Sequence, residues 1–323
     1  MESLVQVRDL HVRFVSRQAT VHAVNGVDFD LAPRETLCVL GESGSGKSVM
    51  LRSLMRLHPP RRTAMSGTMR IDSHDMMTAS ERQLTNLRGR VVSMIFQEPM
   101  TALDPVFKIG SQIAETIVRH EGTSRAEADR RALELLDLVQ IPSAKQRLAA
   151  YPFELSGGLR QRAMIAIALA CRPKLLLADE PTTALDATVQ IQILLLLRRL
   201  QQELGMGVIF VTHDLGVACE IADRIAVMYA GRFIEEGPTA ALMRGPLHPY
   251  TQGLLGATVH SGLRGQRLAT ISGAPPNLEQ LPQGCAFAPR CAQADSTCLI
   301  GVPAPRRPSP DRSARCVRVS TND

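Results

Sequence analysis

One stretch of eight residues, Gly41 to Ser48, constrains this chain more than any other. It reads GESGSGKS and fits the pattern G-x-x-x-x-G-K-[ST], in which the backbone amides of a glycine-rich loop surround a polyphosphate. An apolar run precedes it and a helix-like stretch follows, which is the strand–loop–helix context that the pattern needs. Lys47 is expected to reach the β- and γ-phosphates, and the Ser48 hydroxyl to ligate Mg²⁺. The sequence therefore predicts an α/β fold that binds a nucleotide.

Composition limits the class of protein further. The chain has 323 residues, of which 45% are hydrophobic and 21% charged, as in ordinary folded domains. The net charge of +6 is compatible with nucleic acid, an anionic membrane surface or phosphate handling. Aromatic residues make up only 3% and tryptophan is absent, so a base-stacking surface is poorly supplied. We therefore expect no nucleic-acid partner.

Hydropathy gives no sign of a membrane span. No apolar run approaches the roughly 18 residues that a spanning helix needs. The N-terminal stretch alternates apolar and polar residues as a strand does, and it lacks the profile of a secretory leader. We predict a protein that is either cytosolic or attached to a membrane only through a partner.

Two predicted strands end in residues suited to phosphoryl transfer, and a third ends in a polar residue. One ends in Asp179 and Glu180, of which the first can hold Mg²⁺ and the second can orient a water for attack on the γ-phosphate. Another ends in His213, at the edge of the sheet where α/β proteins bind ligands. A third ends in Gln97. Without the phosphate loop, two adjacent carboxylates would indicate only a solvated strand end.

A second glycine-containing helix start begins at Ser156. Its residue type suits a helix cap, and the glycines that follow let a backbone approach an anion; an ordinary capped helix is the alternative. Asp186 opens a long predicted helix that runs to about Leu204. Phe14 lies near the end of the first predicted strand, where core packing and stacking on an adenine both remain open.

Taken together, these motifs resemble those of the ATP-binding-cassette ATPases. GESGSGKS, Gln97, LSGGLRQR, LLLADEP, TALD and VTHD occur in that family's order and spacing. The resemblance covers residues 3 to about 240 and implies a mixed-sheet core, an antiparallel β subdomain and a helical subdomain at about residues 100–160. We assign residues 1–240 to the ATPase domain and residues 241–323 to a C-terminal extension.

The resemblance also implies roles for single residues. Glu180 would be the catalytic base and His213 the switch histidine, with Lys47 and Gln97 also acting in catalysis. LSGG of one subunit would close over the ATP of another, so that two cassettes enclose two nucleotides. The implied Mg²⁺ ligands are Ser48, Gln97 and Asp179. The implied ATP contacts are Phe14, Gly41, Glu42, Ser43, Gly44, Ser45, Gly46, Lys47, Ser48, Val49, Gln97, Ser156, Gly158, Asp179 and Asp186.

A narrower resemblance extends over nearly the whole chain. GESGSGKSV, FQEPMTALDP, CRPKLLLADEPTTALDATVQ and GPLHPYTQGLL are similar to segments of the ATP-binding subunits of dipeptide and oligopeptide importers, which grade into nickel and glutathione importers. Asp104 and Leu159 depart from the commoner Asn and Met without touching a catalytic position. The resemblance implies two integral-membrane permease subunits, a second cassette subunit, a separate extracytoplasmic peptide-binding protein, and a peripheral place on the cytoplasmic face of the membrane.

Two other classes of function remain as alternatives. A soluble cassette ATPase acting on DNA or ribosomes would be expected to carry a long coiled coil or tandem cassettes, and the sequence shows one phosphate loop and no sustained heptads. A regulatory or redox-sensing module would use the C-terminal cysteines to control the ATPase.

Four cysteines lie in the extension, separated by five, six and seventeen residues. Structural zinc sites usually begin with ligands two to four residues apart, whereas four-cysteine iron–sulfur clusters tolerate longer connections. The resembling importer subunits are associated with a [4Fe-4S] cluster, so we predict that cluster, with zinc and unmetallated thiols as alternatives. Its predicted ligands are Cys285, Cys291, Cys298 and Cys316. The remaining cysteines, predicted to be packed core thiols, are Cys38, Cys171 and Cys219.

Overall fold

The structure, a computed structural model, describes residues 3–183, 185–257 and 270–320. The chain divides into two compact units, each built from separate stretches of sequence. The first unit is formed by Met1–Val5, Leu31–Glu35 and Arg70–Phe210. The second unit is formed by Gln6–Asp30, Thr36–Met69 and Val211–Asp323.

The strands in the described residues are short except for the first two. They are β1 (Val5–Val15), β2 (Thr20–Leu31), β3 (Thr36–Leu40), β4 (Thr63–Ile71), β5 (His74–Asp75), β6 (Val92–Ile95), β7 (Leu175–Asp179), β8 (Gly207–Thr212), β9 (Arg224–Tyr229), β10 (Arg232–Pro238), β11 (Arg306–Ser309) and β12 (Arg312–Ala314).

The helices concentrate between residues 99 and 221, and most of them lie in the first unit. They are α1 (Lys47–Leu54), α2 (Glu81–Leu87), α3 (Pro99–Ala102), α4 (Ile109–Glu121), α5 (Arg125–Leu138), α6 (Ala144–Arg147), α7 (Gly157–Leu169), α8 (Ala187–Leu204), α9 (Leu215–Ile221), α10 (Thr239–Arg244), α11 (Pro249–Gly256) and α12 (Thr297–Ile300).

In the second unit, five strands lie beside the phosphate loop, residues 41–48, and pair in the order β11, β12, β10, β9 and β3. β3 runs parallel to β9, with Cys38 opposite Ile225. β9 and β10 form an antiparallel hairpin, and β12 and β11 extend the sheet beyond β10. The whole of β3 is buried, and the loop leaves its carboxyl end and enters α1. The β11–β12 hairpin was not predicted, because its Arg- and Pro-rich sequence carries no alternating apolar pattern.

In the first unit, β6 and β7 pair in parallel, and helices α4, α5 and α7 pack on one another. β6 and β7 are buried along their full length, which their continuous apolar runs predict. α5 buries Ala128, Ala132 and Leu136, whose spacing of four residues places them on one face of the helix. Helix α8 ends at Gly205, whose left-handed φ of 69° closes the helix.

One dipeptide typical of turns lies inside a strand. The pair Asn25-Gly26 has the composition of a turn and predicts one by local rules, but that prediction is wrong, because both residues lie inside the continuous strand β2. The Asn25 side chain is buried, and its Nδ2 donates to the carbonyl oxygen of Ala230 at 3.1 Å. A tertiary hydrogen bond therefore uses the asparagine that a local rule assigned to a turn. Among the described helices, none has the length and apolarity to cross a membrane.

Candidate nucleotide site

The phosphate loop can be built only with glycine at two of its positions. A Cβ atom added to Gly41 would lie 2.3 Å from the carbonyl oxygen of Met228. Gly46 has a φ of 104°, and its added Cβ would lie 2.3 Å from the carbonyl oxygen of Ala23. Both clashes are with backbone, which cannot move aside as a side chain can. The loop therefore lies in close contact with β2 and β9.

Two polar side chains of the loop are buried in it. Nζ of Lys47 donates to the carbonyl oxygens of Gly41 at 2.7 Å and of Glu42 at 2.8 Å. Oγ of Ser45 is buried and has no hydrogen-bond partner within the described part of the chain. A buried hydroxyl without a partner costs free energy, and an incoming phosphate oxygen would satisfy it. The rest of the loop is more open, with Ser43 and Gly44 exposed.

The aromatic residue predicted to stack on adenine lies close to the helix that follows the loop. Phe14 is half-buried, and its ring meets the ring of His58 edge-on, with centroids 5.2 Å apart. Nε2 of His58 lies 2.9 Å from the carbonyl oxygen of Val49, in α1. Burial lowers the pKa of His58, so its ring is neutral at physiological pH. Ser48 and Val49 are themselves half-buried at the start of α1.

His213 is exposed just beyond β8, at the position read from the sequence. The next residue, Asp214, caps α9 by accepting a hydrogen bond from the Gly216 backbone N–H at 2.8 Å. This cap fixes the start of α9 immediately after the histidine.

In the first unit, the predicted carboxylates and Gln97 come together. β7 ends in Asp179, which is fully buried, and Glu180 follows it with a left-handed φ of 45°. Nε2 of Gln97 donates to Oε2 of Glu180 at 3.4 Å, because the parallel pairing of β6 with β7 places the two strand ends side by side. Oγ1 of Thr183 donates to the same carboxylate oxygen at 2.9 Å. Thr183 was not singled out from the sequence, although it lies three residues beyond Glu180.

The helix starts at Ser156 and Asp186 differ in how their side chains are used. Ser156 is the N-cap residue of α7, but its hydroxyl makes no capping hydrogen bond and is exposed. Asp186 caps α8 fully, accepting hydrogen bonds from the backbone N–H groups of Thr188 at 3.1 Å and Val189 at 3.0 Å. A Cβ on Gly158 would lie 2.7 Å from Cγ1 of Val189, so glycine lets α7 approach α8 closely.

The donors predicted for Mg²⁺ are a hydroxyl, an amide and a carboxylate, all hard oxygen ligands of the kind that Mg²⁺ prefers. Ser48 belongs to the second unit, and Gln97 and Asp179 belong to the first. The chemistry of this donor set fits the ion, and its carboxylate is buried and shielded from water.

All four C-terminal cysteines line one small cavity of about 20 Å³, together with His248. All four are free thiols, and burial raises the pKa values of Cys285 and Cys291. Among the described residues, no group of three or more His, Cys, Asp or Glu side chains is arranged to hold a metal ion. The donor types thus suit a thiophilic metal, whereas the side-chain arrangement is not that of a formed metal site. Cys38 and Cys171 are buried as predicted, while Cys219 is half-buried.

Sequence reasoning missed a group of contacts between the extension and the phosphate loop. The backbone N–H of Glu42 donates to Oη of Tyr250 at 3.0 Å, and the guanidinium of Arg290 donates two hydrogen bonds to the Glu42 carboxylate. In the sequence, Tyr250 appears only within the segment GPLHPYTQGLL, and no local pattern marks Arg290 as a partner of a residue 248 positions away.

The loop, the strand-end carboxylates and the capped helices define a nucleotide-binding protein of the phosphate-loop class. Residues 24–183 match the family model for ABC transporters, and residues 234–298 match the model for the oligopeptide/dipeptide transporter C-terminal region. A Brucella melitensis protein named for peptide import and ATP binding is 47% identical over 329 residues, covering 98% of this chain and 97% of the relative. A Brucella abortus protein with the same kind of name is 50% identical over 296 residues, covering 92% and 89%. The chain belongs to the ABC transporter family, and it is an ATPase of that family.

Solved structures agree with this membership. A dimeric post-hydrolysis state of the ATP-binding cassette MJ0796, bound to ADP and Pi, superposes with a TM-score of 0.65 at 30% identity, covering 73% of this chain and 98% of that one. The cassette cbiO1 from Clostridium perfringens, part of the ABC transporter complex cbiONQ, also gives 0.65, at 25% identity and with 76% and 92% covered. The predicted α/β cassette fold is confirmed.

Proposed function

We propose that this chain is the ATP-hydrolysing subunit of a membrane importer of dipeptides or oligopeptides. The observation that carries the proposal is whole-length similarity to proteins named for peptide import, together with the match of residues 234–298 to the oligopeptide/dipeptide transporter region. Import of nickel or glutathione by the same ATPase is the alternative cargo, and a soluble ABC ATPase without a permease is the alternative class.

ATP binding would use the phosphate loop of the second unit. On arrival of ATP, the ammonium of Lys47 would exchange its bonds to the carbonyls of Gly41 and Glu42 for bonds to the β- and γ-phosphates. The buried hydroxyl of Ser45 would gain the partner that it lacks. The ring of Phe14 would stack on the adenine, which its place beside α1 supports.

Hydrolysis would be attack of water on the γ-phosphate. Glu180 would orient that water, and its hydrogen bonds from Gln97 and Thr183 would hold the carboxylate in one position. His213 would contact the γ-phosphate as the switch histidine. Mg²⁺ would supply charge neutralisation for the phosphates, with hard oxygen ligands from Ser48, Gln97 and Asp179.

The working form would be a pair of cassettes. The hydroxyl of Ser156 is exposed and not used to cap its own helix, so it is available to an ATP held by a facing subunit. The N-terminus of α7, with Gly158, would add its positive end to the same phosphates. Asp186 would lie at the crossing between the two cassettes. We propose a related second cassette subunit as the partner.

A permease would dock on the first unit. A cavity of about 160 Å³ there is lined partly by Gln97, Met100 and Arg160. Large apolar side chains in the same unit are exposed, including Met100, Phe107 and Phe153, of which Phe153 is 62% exposed. Where such side chains form a contiguous surface, they mark protein interaction sites. We propose two integral-membrane permease subunits, with this chain peripheral on the cytoplasmic face, and a separate extracytoplasmic peptide-binding protein.

The domain boundary would lie at about residue 240. Residues 1–240 would form the ATPase domain, with a helical lobe at about 100–160, and residues 241–323 the extension. Helices α4 to α7 are the structural support for the lobe.

We also propose that the four C-terminal cysteines hold a [4Fe-4S] cluster, with zinc or free thiols as alternatives. Their common cavity supports the proposal, while the lack of a formed metal-ligating group in the described residues weighs against it. Anaerobic purification followed by visible spectroscopy and by iron, sulfide and zinc analysis tests it. Broad absorbance with four irons per chain is expected, and a colourless, iron-free protein would exclude the cluster.

Reconstitution tests the proposed transport function. The chain would be assembled in liposomes with the candidate permeases and the second cassette. The binding protein would be placed either inside or outside the liposomes. ATP hydrolysis and uptake of a labelled dipeptide are both expected to rise when the peptide-loaded binding protein is present. If nickel or glutathione stimulated ATP hydrolysis and the dipeptide did not, the assigned cargo would be nickel or glutathione. If the ATPase activity were equally high with and without the permease, the soluble class of ABC ATPase would be favoured.

A further inference from the structure

The carboxylate of Glu42 lies within a loop whose task is to hold a highly charged anion. Its side chain is 26% exposed, and Glu42 is the second residue of the phosphate loop. An unpaired carboxylate beside bound phosphates would repel them, since like charges a few ångströms apart repel strongly where water is partly excluded. Glu42 therefore needs a counter-charge if the loop is to bind ATP well.

Arg290 of the C-terminal extension supplies that counter-charge. Its Nη1 donates to Oε2 of Glu42 at 2.8 Å, and its Nη2 donates to Oε1 at 3.1 Å. This is the two-pronged guanidinium–carboxylate geometry, which fixes orientation as well as charge. The Arg290 side chain is only 6% exposed, so solvent screens the pair far less than it screens a surface ion pair.

Residues of the extension and Tyr229 of β9 together hold Arg290 in place. Nε of Arg290 donates to the carbonyl oxygen of Ser272 at 2.9 Å, and Nη1 lies 3.3 Å from Oη of Tyr229. The guanidinium carbon lies 5.8 Å from the ring centre of Tyr229 and 5.9 Å from that of Phe287. Hydrogen bonds and two aromatic faces thus support the guanidinium in an orientation directed at Glu42.

A second residue of the extension contacts the loop backbone itself. Tyr250 is fully buried, and its Oη accepts a hydrogen bond of 3.0 Å from the backbone N–H of Glu42. The rings of Tyr250 and Tyr229 pack with centroids 4.6 Å apart, and Phe287 contacts both. The same aromatic cluster therefore carries both contacts to Glu42, one to its peptide and one to its carboxylate.

We propose that Arg290 and Tyr250 are positioning residues for ATP binding: the C-terminal extension fixes the peptide of Glu42 and neutralises its carboxylate, so that the phosphate loop accepts the triphosphate. The inference goes beyond a merely structural role for the extension, because it makes nucleotide affinity depend on a charge in that extension. It rests on ATP binding by this chain and not on the identity of the cargo, so its failure would leave the import proposal standing.

The test is a charge-neutralisation series in the full-length chain. R290M keeps the length and apolar stem of the side chain and removes its charge, and E42Q removes the charge that it balances. Equilibrium affinities for ATP and ADP would be measured by competition with a fluorescent ATP analogue, beside the thermal midpoint of each variant. R318M is the matched control, because Arg318 lies in the same extension, beside the cysteine cavity, and pairs with Asp295 at 2.8 Å.

R290M is expected to weaken ATP binding roughly tenfold and ADP binding less, because the repulsion grows with phosphate charge. In the double variant E42Q/R290M the affinity should return to within about threefold of the unaltered chain, since no unpaired carboxylate remains. E42Q alone should tighten ATP binding about two- to threefold, because the guanidinium is then unbalanced. R318M should bind ATP as the unaltered chain does.

The proposal is overturned if R290M binds ATP normally, or if the double variant binds as weakly as R290M. A lowered thermal midpoint with unchanged affinity would show a purely structural role. If R290M fails to fold, E42Q decides by itself: weakened ATP binding in E42Q contradicts the proposal and tightened binding supports it. Y250F tests the contact to the loop backbone, because it removes the hydroxyl that accepts from the Glu42 backbone N–H. ATP affinity is expected to fall about threefold, by the same factor whether residue 42 is Glu or Gln.

Discussion

The side-chain amide of Gln97 donates a hydrogen bond of 3.4 Å to the carboxylate of Glu180, joining the ends of the parallel strands β6 and β7. The two residues are 83 positions apart in sequence. Their contact connects a residue on the proposed permease face with the proposed catalytic carboxylate.

The first prediction concerns Glu180. In E180Q the amide oxygen can still accept the hydrogen bonds from Gln97 and Thr183, so the local structure should persist. The variant should bind ATP normally and lose turnover by on the order of 100-fold or more, because the amide cannot act as a base. Steady-state phosphate release and ATP binding would both be measured. E98Q, an exposed neighbour of Gln97, serves as control; near-normal turnover in E180Q would refute the assignment.

The second prediction separates two serines at helix starts. Ser124 caps α5 by accepting a hydrogen bond from the Glu127 backbone N–H, whereas Ser156 makes no such bond to α7. S124A should therefore lower the free energy of unfolding by about 1 kcal/mol and leave turnover intact. S156A should leave stability nearly unchanged and reduce the ATPase activity of the assembled transporter. Urea unfolding and ATPase assays on both variants decide, and a stability loss in S156A without an activity loss would contradict the proposed role.

The third prediction concerns Lys47, whose buried ammonium donates to the carbonyl oxygens of Gly41 and Glu42. K47A removes the charge that would meet the β- and γ-phosphates, so ATP affinity should fall by roughly 100-fold. K174A removes an exposed ammonium from the other unit, where it pairs with Asp72, and should have no such effect. Calorimetric titration with ATP measures the difference. Retained affinity in K47A would show that the backbone amides alone hold the nucleotide.

The fourth prediction is a pH dependence set by His248. Burial lowers its pKa to about 4, and its Nδ1 accepts a hydrogen bond from the Tyr250 backbone N–H at 3.0 Å, which requires the neutral ring. Since the folded-state pKa lies below the unfolded value of about 6.5, the stabilisation is full above pH 6.5 and is lost as the pH falls towards 4. Lowering the pH from 7.5 to 5 should therefore reduce the free energy of unfolding by about 2 kcal/mol through this histidine.

The matched variant for this prediction is H248N, which offers an amide oxygen as acceptor but does not titrate. It should be less stable than the unaltered chain at pH 7.5. The difference in free energy of unfolding between the two should vanish or change sign by pH 5. Urea unfolding across that range measures both free energies. A constant gap at all pH values would show that His248 does not titrate with folding.

Much of the architecture could be read from the sequence because the signals for it are local. Gly41 and Gly46 mark a loop that only glycine can form, and the structure adds the reason, namely the backbone of Met228 and Ala23 against them. The prediction that a helix starts at Asp186 and runs to about Leu204 is confirmed, with Asp186 as the cap of α8 and Gly205 as its end. In these places a residue type and its neighbours in sequence fix the backbone by themselves.

Other features depended on residues that are distant along the chain. Asn25-Gly26 has the composition of a turn, but a hydrogen bond to Ala230 keeps it inside a strand. The hydroxyl of Ser156 is free of the capping role that its position suggested.

The sequence by itself determined the chemistry of the protein: a phosphate loop, strand-end carboxylates and an α/β cassette, each specified by short-range patterns. Only the tertiary structure decided what surrounds that chemistry. Arg290 and Glu42 are 248 positions apart, and no sequence pattern near either residue predicts that the two pair. Ion pairs and ring contacts of this kind form wherever folding brings two surfaces together. They therefore produce no periodic pattern in the amino-acid sequence.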